Sequence, residues 1–117
     1  ATPEQMQERA ENLALMRPND KLVSHVVTAF STRCPVSIKL FWRLLQMADG
    51  ITDIGAALKL DYHLAMRMIR RGDYVEGVRA VLVDRDNAPK WSPNSLALVD
   101  KALLDTLFDE DGLPPLC

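Results

Sequence analysis

The chain has 117 residues, 48% of them hydrophobic and 26% charged, with a formal net charge of −2, the size and balance of one globular domain. That charge argues against a general binder of nucleic acid or anionic membrane, and no apolar run long enough to span a bilayer occurs. The first residues, ATPEQMQERAENLA, lack a basic region leading into an apolar one, so they do not read as a signal peptide. A start at Ala rather than Met predicts a processed chain or a piece of a longer protein. Cys34 and Cys117 make no disulfide framework and suit a reducing, intracellular setting, with the cytoplasm expected. Together with His25 and His63 they show no metal-ligand spacing, so no metal is expected.

In chain order the pattern is helical throughout. Thr2-Pro3-Glu4-Gln5 joins an N-cap Thr, a Pro in the first turn and a Gln in the capping-box position. Met6, Ala10 and Leu13 follow at helical spacing until Arg17-Pro18. Asn19 or Asp20 caps a second helix with Leu22, Val26 and Ala29 or Phe30 on one face. Pro35 opens a third helix over about 36–48; DGITD closes it with Gly50 and opens the next at Thr52, a fourth helix over about 53 to 70 or 71, stopped by Gly72. Asp73 and Glu76 read as the acidic caps of a further helix carrying Val75, Val78, Val81 and Leu82. VRAVLV alone fits a short buried strand equally well, and the cap favours helix. DRDNAPKWSPNS is a turn-rich loop, LALVDKALLDTLF a final helix, and 109–117 a mobile tail. The prediction is all-α, about five to six helices in one domain spanning 1–117, with no internal repeat.

Two helices are too apolar for a surface role. On the fourth, Ile54, Leu58, Ala65 and Ile69 make one stripe, and Ala57, Leu60, Leu64 and Met68 a second beside it. The third carries Leu40, Phe41, Trp42, Leu44, Leu45 and Met47. A surface helix needs an apolar sector of only about 100°. Burial on a second side follows, either at the centre of the domain or against a missing neighbour or another subunit.

Candidate chemistry is thin. Ser37, Ser92 and Ser95 have no partner at triad spacing, and there is neither a G-x-S-x-G elbow nor a Gly-rich phosphate loop. His25 reads as a packed helix residue rather than a base. Cys34, before Pro35, would sit at a helix N-cap, where a thiol pKa falls, although such a thiol is more often simply buried. Lys59, His63, Arg67 and Arg70, with Arg71 at the margin, recur at helical spacing. They would hold phosphates, or merely form the solvated face of the helix.

The stretch 73–91, DYVEGVRAVLVDRDNAPKW, is more specific. It resembles the C-terminal signature of the 3-hydroxyisobutyryl-CoA hydrolase branch of the crotonase (enoyl-CoA hydratase/isomerase) superfamily, a pattern close to D-F-x-E-G-V-R-A-x-L-I-D-K-D-x-x-P-K-W. Asp73, Glu76, Gly77, Val78, Arg79, Ala80, Leu82, Asp84, Asp86, Pro89, Lys90 and Trp91 match. Tyr74 replaces Phe, and Arg85 replaces Lys with its charge kept. Upstream, CPVSIKLFWRLLQ resembles the family's S-P-x-S-L-K-x-x-x-R-x-L segment, and the likeness runs over roughly 31–108. In physical terms the motif is mainly architectural. Gly77 marks a close backbone approach, Pro89 and Trp91 a turn with an aromatic anchor, and Arg79 with Glu76 and Asp84 a clasp between helix and loop.

The resemblance implies the C-terminal helical region of a crotonase-type enzyme without its spiral β/α core. In such relatives the spiral domain supplies the oxyanion-binding N–H groups and the catalytic acids, none of whose motifs occur here. No catalytic residue is therefore expected in this chain, no cofactor, and no activity alone; acyl-CoA would be the substrate of the parent enzyme. The region would pack over the absent N-terminal spiral domain, help enclose the acyl-CoA and self-associate. In hydratases a Lys-Arg pair after this helix approaches the CoA phosphates or adenine. Here the pair is Asp84-Arg85, so Arg85 carries over, with Lys90 beside it. The competing readings are a stand-alone helical module that binds protein or nucleic acid through Lys59, Arg67 and Arg70, and a small thioesterase that uses Cys34.

Overall fold

In the computed structural model, which describes residues 2–109, six α-helices follow one another and no strand occurs among the described residues. Each begins for a local reason. At the start of α1 (Pro3–Met16) the Thr2 hydroxyl accepts from Gln5 N–H at 3.3 Å, and the Gln5 side chain accepts from Thr2 N–H at 3.0 Å. This is the expected reciprocal box. Asp20, not Asn19, caps α2 (Lys21–Thr32): its carboxylate accepts from the N–H groups of Leu22 and Val23. α3 (Pro35–Met47) starts on its proline and runs into a 3₁₀ turn at Ala48–Gly50. Asp53, not the expected Thr52, caps α4 (Ile54–Ile69), its carboxylate accepting from the N–H groups of Gly55 and Ala56.

Two expectations need correction. α5 (Gly72–Val78) has Arg71 at its N-cap, with no side-chain cap bond. Asp73 and Glu76 lie inside the helix and spend their carboxylates on the loop instead, as described below. The open choice at VRAVLV resolves as helix of an unusual kind: α5 widens into a π turn over Arg79–Val83, closed by Asp84 N–H on Arg79 O at 2.7 Å. The predicted final helix is also broken. Leu96–Leu98 form a 3₁₀ turn, the chain then extends, and Asp100 caps a separate α6 (Lys101–Phe108) by accepting from Leu103 N–H at 2.8 Å. The backbone is already extended at Val99, and the Asp100 carboxylate starts a new helix in place of continuing the turn. The predicted tail lies outside the described residues beyond Asp109.

Cys34, Val36, Val99, Leu104 and Leu107 form the core, flanked by Leu40, Met68, Trp91, Leu103 and Phe108. The core therefore sits where the start of α3, the 96–98 turn, α6 and the end of α4 meet. α1 and α2 pair as a hairpin, and α4 packs on α5 and α6. Lys39 ties three elements, bridging Glu4 of α1 and donating to Val99 O at 2.9 Å.

The two apolar stripes of α4 part company. Leu64 is buried and Leu60 and Met68 half-buried, whereas Ile54, Leu58 and Ile69 remain 78%, 56% and 50% exposed. Phe41, Leu45 and Met47 of α3 are likewise exposed, as are Val75, Val81, Leu82 and Val83 along α5 and its π turn. The radius of gyration, 16.2 Å, exceeds the roughly 13 Å of a compact domain of this length. The helices make an open layer around a small core, and the second side of α3 and α4 meets no helix among the described residues.

Candidate functional site

The chemically dense region is the junction of α5 with the loop after its π turn. Four side chains organise it. Asp73, buried on α5, accepts from Ser92 N–H at 2.9 Å and from the Cys34 thiol at 3.5 Å. Three residues on, Glu76 takes both arms of Arg79, at 2.8 and 2.7 Å, and also the N–H of Lys90 at 2.7 Å. The same guanidinium reaches forward to Asp84 and Asp86, each at 2.8 Å, and to Ala88 O at 3.5 Å. A planar fork of five donors is the side chain able to serve so many oxygens at once. The expected clasp is present, and it takes in Asp86 as well as Asp84.

Trp91 closes the junction. Its indole N–H donates to Thr32 O at 2.9 Å, tying the loop to the end of α2. The ring lies against Gly77, where a Cβ would stand 3.3 Å from Trp91 Cη2. Hence the glycine inside a helix: any larger residue would press on the indole.

Charge at the site follows from these contacts. The Arg79 guanidinium, helped by the Lys90 N–H, holds the Glu76 carboxyl down to about 2. Asp86 is lowered by Arg79 and by the Ala88 N–H. Arg79 in turn is raised by its acidic partners. At neutral pH the cluster is one cation among three anions, so it has no positive field of its own. Burial pushes the Cys34 thiol up, with adjacent Asp73 adding to the shift. This is the opposite of what a thiolate nucleophile needs, and the N-cap location of Cys34 does not overcome it.

Two concavities flank the junction. A cleft of about 400 Å³ is lined by Arg71, Gly72, Asp73, Glu76, Lys90 and Ser92. On the other side of the loop, a cavity of about 540 Å³ runs between Pro89 and Trp91 and the start of α3 at Cys34 and Ser37. Of the two predicted contact residues, Lys90 is exposed on the wall of the first. Arg85 is exposed in the loop at φ 55° and lines neither. The structure thus does not gather them in one concavity. The cation it brings to Lys90's cleft is Arg71, whose Nη2 donates to Ser92 O at 2.9 Å. Sequence reasoning left Arg71 at the margin of the α4 stripe. The signal that would have found it is its place before Gly72, where the chain turns out of α4.

The α4 stripe itself does not form one solvated row. His63 is buried beside Tyr62, and Arg67 donates to Asp109 O at 2.9 and 3.1 Å. No group of three or more metal-ligating side chains occurs among the described residues. None of their helices is long and apolar enough to cross a membrane.

Comparison with known proteins agrees with this architecture. Residues 2–108 match the family model described as enoyl-CoA hydratase/isomerase. Among curated proteins, the human mitochondrial 3-hydroxyisobutyryl-CoA hydrolase is 37% identical over 78 residues, covering 67% of this chain and 20% of its own length. The chicken enzyme of the same name is 36% identical over 85 residues, covering 72% and 22%. A probable 3-hydroxyisobutyryl-CoA hydrolase of Arabidopsis thaliana is 30% identical over 118 residues, covering 95% and 31%. The crystal structure of an enoyl-CoA hydratase from Rhodobacter sphaeroides superposes with a TM-score of 0.78 at 23% identity, over 92% of this chain and 31% of that one. The chain thus spans between a fifth and a third of the length of these relatives. With its helical order, its Arg79 clasp and a family match over nearly its whole length, this chain belongs to the enoyl-CoA hydratase/isomerase family as a 3-hydroxyisobutyryl-CoA hydrolase-like member.

Proposed function

We propose that this chain is the C-terminal helical domain of an acyl-CoA enzyme, most like a 3-hydroxyisobutyryl-CoA hydrolase. It rests its bare helical faces on a preceding catalytic domain of the same polypeptide, encloses the acyl-CoA and takes part in subunit contacts. The thioester chemistry resides in that preceding domain, and this chain alone is inactive. The observation that carries the reading is the unpaired stripe of Ile54, Leu58 and Ile69, in a chain that spans 20–31% of its curated relatives. A large apolar face marks an interaction surface, and the length missing relative to those proteins names its occupant.

In this reading Lys90 and Arg85 approach the phosphates of CoA as charge-assisted donors. Both are exposed, and Lys90 projects beside a cleft that already holds a second cation, Arg71. Calorimetric titration of CoA into the longer polypeptide tests it. Lys90→Ala and Arg85→Ala are each expected to weaken binding by about tenfold, the worth of one charged hydrogen bond. Unchanged affinity in the double variant refutes the phosphate role, and thioester hydrolysis by the 117-residue chain refutes the assignment of the chemistry elsewhere.

A further inference from the structure

We propose that residues 84–91 form a strained strap, latched to α5 by Arg79 and Glu76, whose release opens the 540 Å³ cavity beneath it while the helices stay folded. The strap supplies Asn87, Pro89 and Trp91 to the lining of that cavity, and Thr32, Arg33, Cys34 and Val81 line the rest of it with Ser37 and Gly77. What ties the strap to α5 and its π turn is almost wholly polar, beginning with Asn87 N–H on Ala80 O at 2.9 Å. Arg79 holds Asp84, Asp86 and Ala88 O, Glu76 holds Lys90 N–H, and Asp73 holds Ser92 N–H. From 84 to 90 the strap buries no side chain; Pro89 is half-buried and the rest are exposed. Trp91 is its apolar anchor. Segments with few buried apolar contacts and solvent-accessible polar ties open at a fraction of the global unfolding free energy.

The backbone adds a bias toward release. Arg85 and Asn87 have φ of 55° and 51°. Asn accepts the left-handed region readily, but Arg meets its Cβ clash there and gains no compensating local bond. The latch therefore holds a conformation the strap would not keep alone. Cys34 is the natural witness. The residue is buried at 9% exposure and lines the cavity, and its thiol donates to Asp73, whose other oxygen accepts from Ser92 N–H just past the strap.

The test uses the 117-residue chain with Cys117→Ser, so that Cys34 is the sole thiol, labelled by Ellman's reagent under native conditions. The latched chain should label slowly and at a rate nearly independent of low urea, since local opening exposes little surface. Arg79→Gln should raise the rate about tenfold or more with the far-ultraviolet helix signal unchanged, and Arg79→Lys less, because an ammonium cannot fork between Glu76 and the strap. Labelling that climbs with the urea slope of global unfolding overturns the proposal, as does an unchanged rate in Arg79→Gln. Should that variant lose its helices, Asp84→Asn/Asp86→Asn, which alters strap residues alone, and the urea series on the latched chain decide: faster labelling with intact helices supports the strap, and an unchanged rate rejects it. Neither measurement involves CoA, so the outcome stands apart from the functional reading.

Discussion

Replacing Ile54, Leu58 and Ile69 together by Gln should do little to this chain and much to the polypeptide that contains it. In the structure these side chains keep 78%, 56% and 50% of their surface in water. Full burial of a large aliphatic side chain is worth about 1.5–3 kcal/mol, so the area still open on the three would contribute roughly 3–5 kcal/mol when covered. Gln is a good helix former, so α4 itself should tolerate the change. Urea denaturation of the 117-residue chain is expected to shift by no more than about 1.5 kcal/mol, because surface substitutions seldom cost more than about 0.5 kcal/mol each. In the longer polypeptide the same triple variant should lower the unfolding free energy, or the docking of the domain, by the full amount. A loss above about 2 kcal/mol in the short chain would mean that the stripe is packed inward. An unaffected long polypeptide would mean that nothing covers it. Either result refutes the reasoning.

Two further outcomes follow from the junction. The Glu76 carboxyl sits at about 2 in the folded chain against an ordinary 4.5, so its contribution is complete above pH ~4.5 and is lost as the pH falls through that range toward 2. Thermal midpoints of the chain should therefore drop between those values, and Glu76→Gln should flatten that part of the profile; an unaltered acid limb would deny the Arg79 pair its role. Trp91→Phe keeps the aromatic anchor but removes the bond to Thr32 O, and should cost about 1 kcal/mol in urea denaturation. Trp91→Ala should cost about 3 kcal/mol, since Trp91 packs on the core cluster, and equal costs for the two variants would show that the ring packs on nothing.

Much of the helix inventory was legible because helix ends are local chemistry. Thr2 with Gln5, and Asp20, each act within three residues of their own position, and a short stretch of sequence contains all that such a bond needs. The glycine at 77 could also be read, although only the fold supplied the indole it makes room for. The misread caps of α5 have a long-range cause. Asp73 and Glu76 have the spacing of a capping pair, yet their oxygens are claimed by N–H groups 19 and 14 residues away. A cap and a loop tie draw on the same carboxylate, and spacing cannot tell which donor arrives.

The candidate contact residues divide in the same way. Charge and likeness to the family picked out Arg85 and Lys90, but Arg71 joins Lys90 at the cleft only because α4 ends where the loop returns past Ser92. By itself the sequence determined an all-α chain, the starts of most of its helices and its family kinship, since periodicity, capping and a contiguous motif are properties of neighbours along the chain. Which stripe of α4 turns inward, where Asp73 and Glu76 spend their charge, and the open face left on α3 and α4 were decided only in three dimensions. Burial and long-range hydrogen bonding depend on which distant residues arrive, and that is a matter of packing.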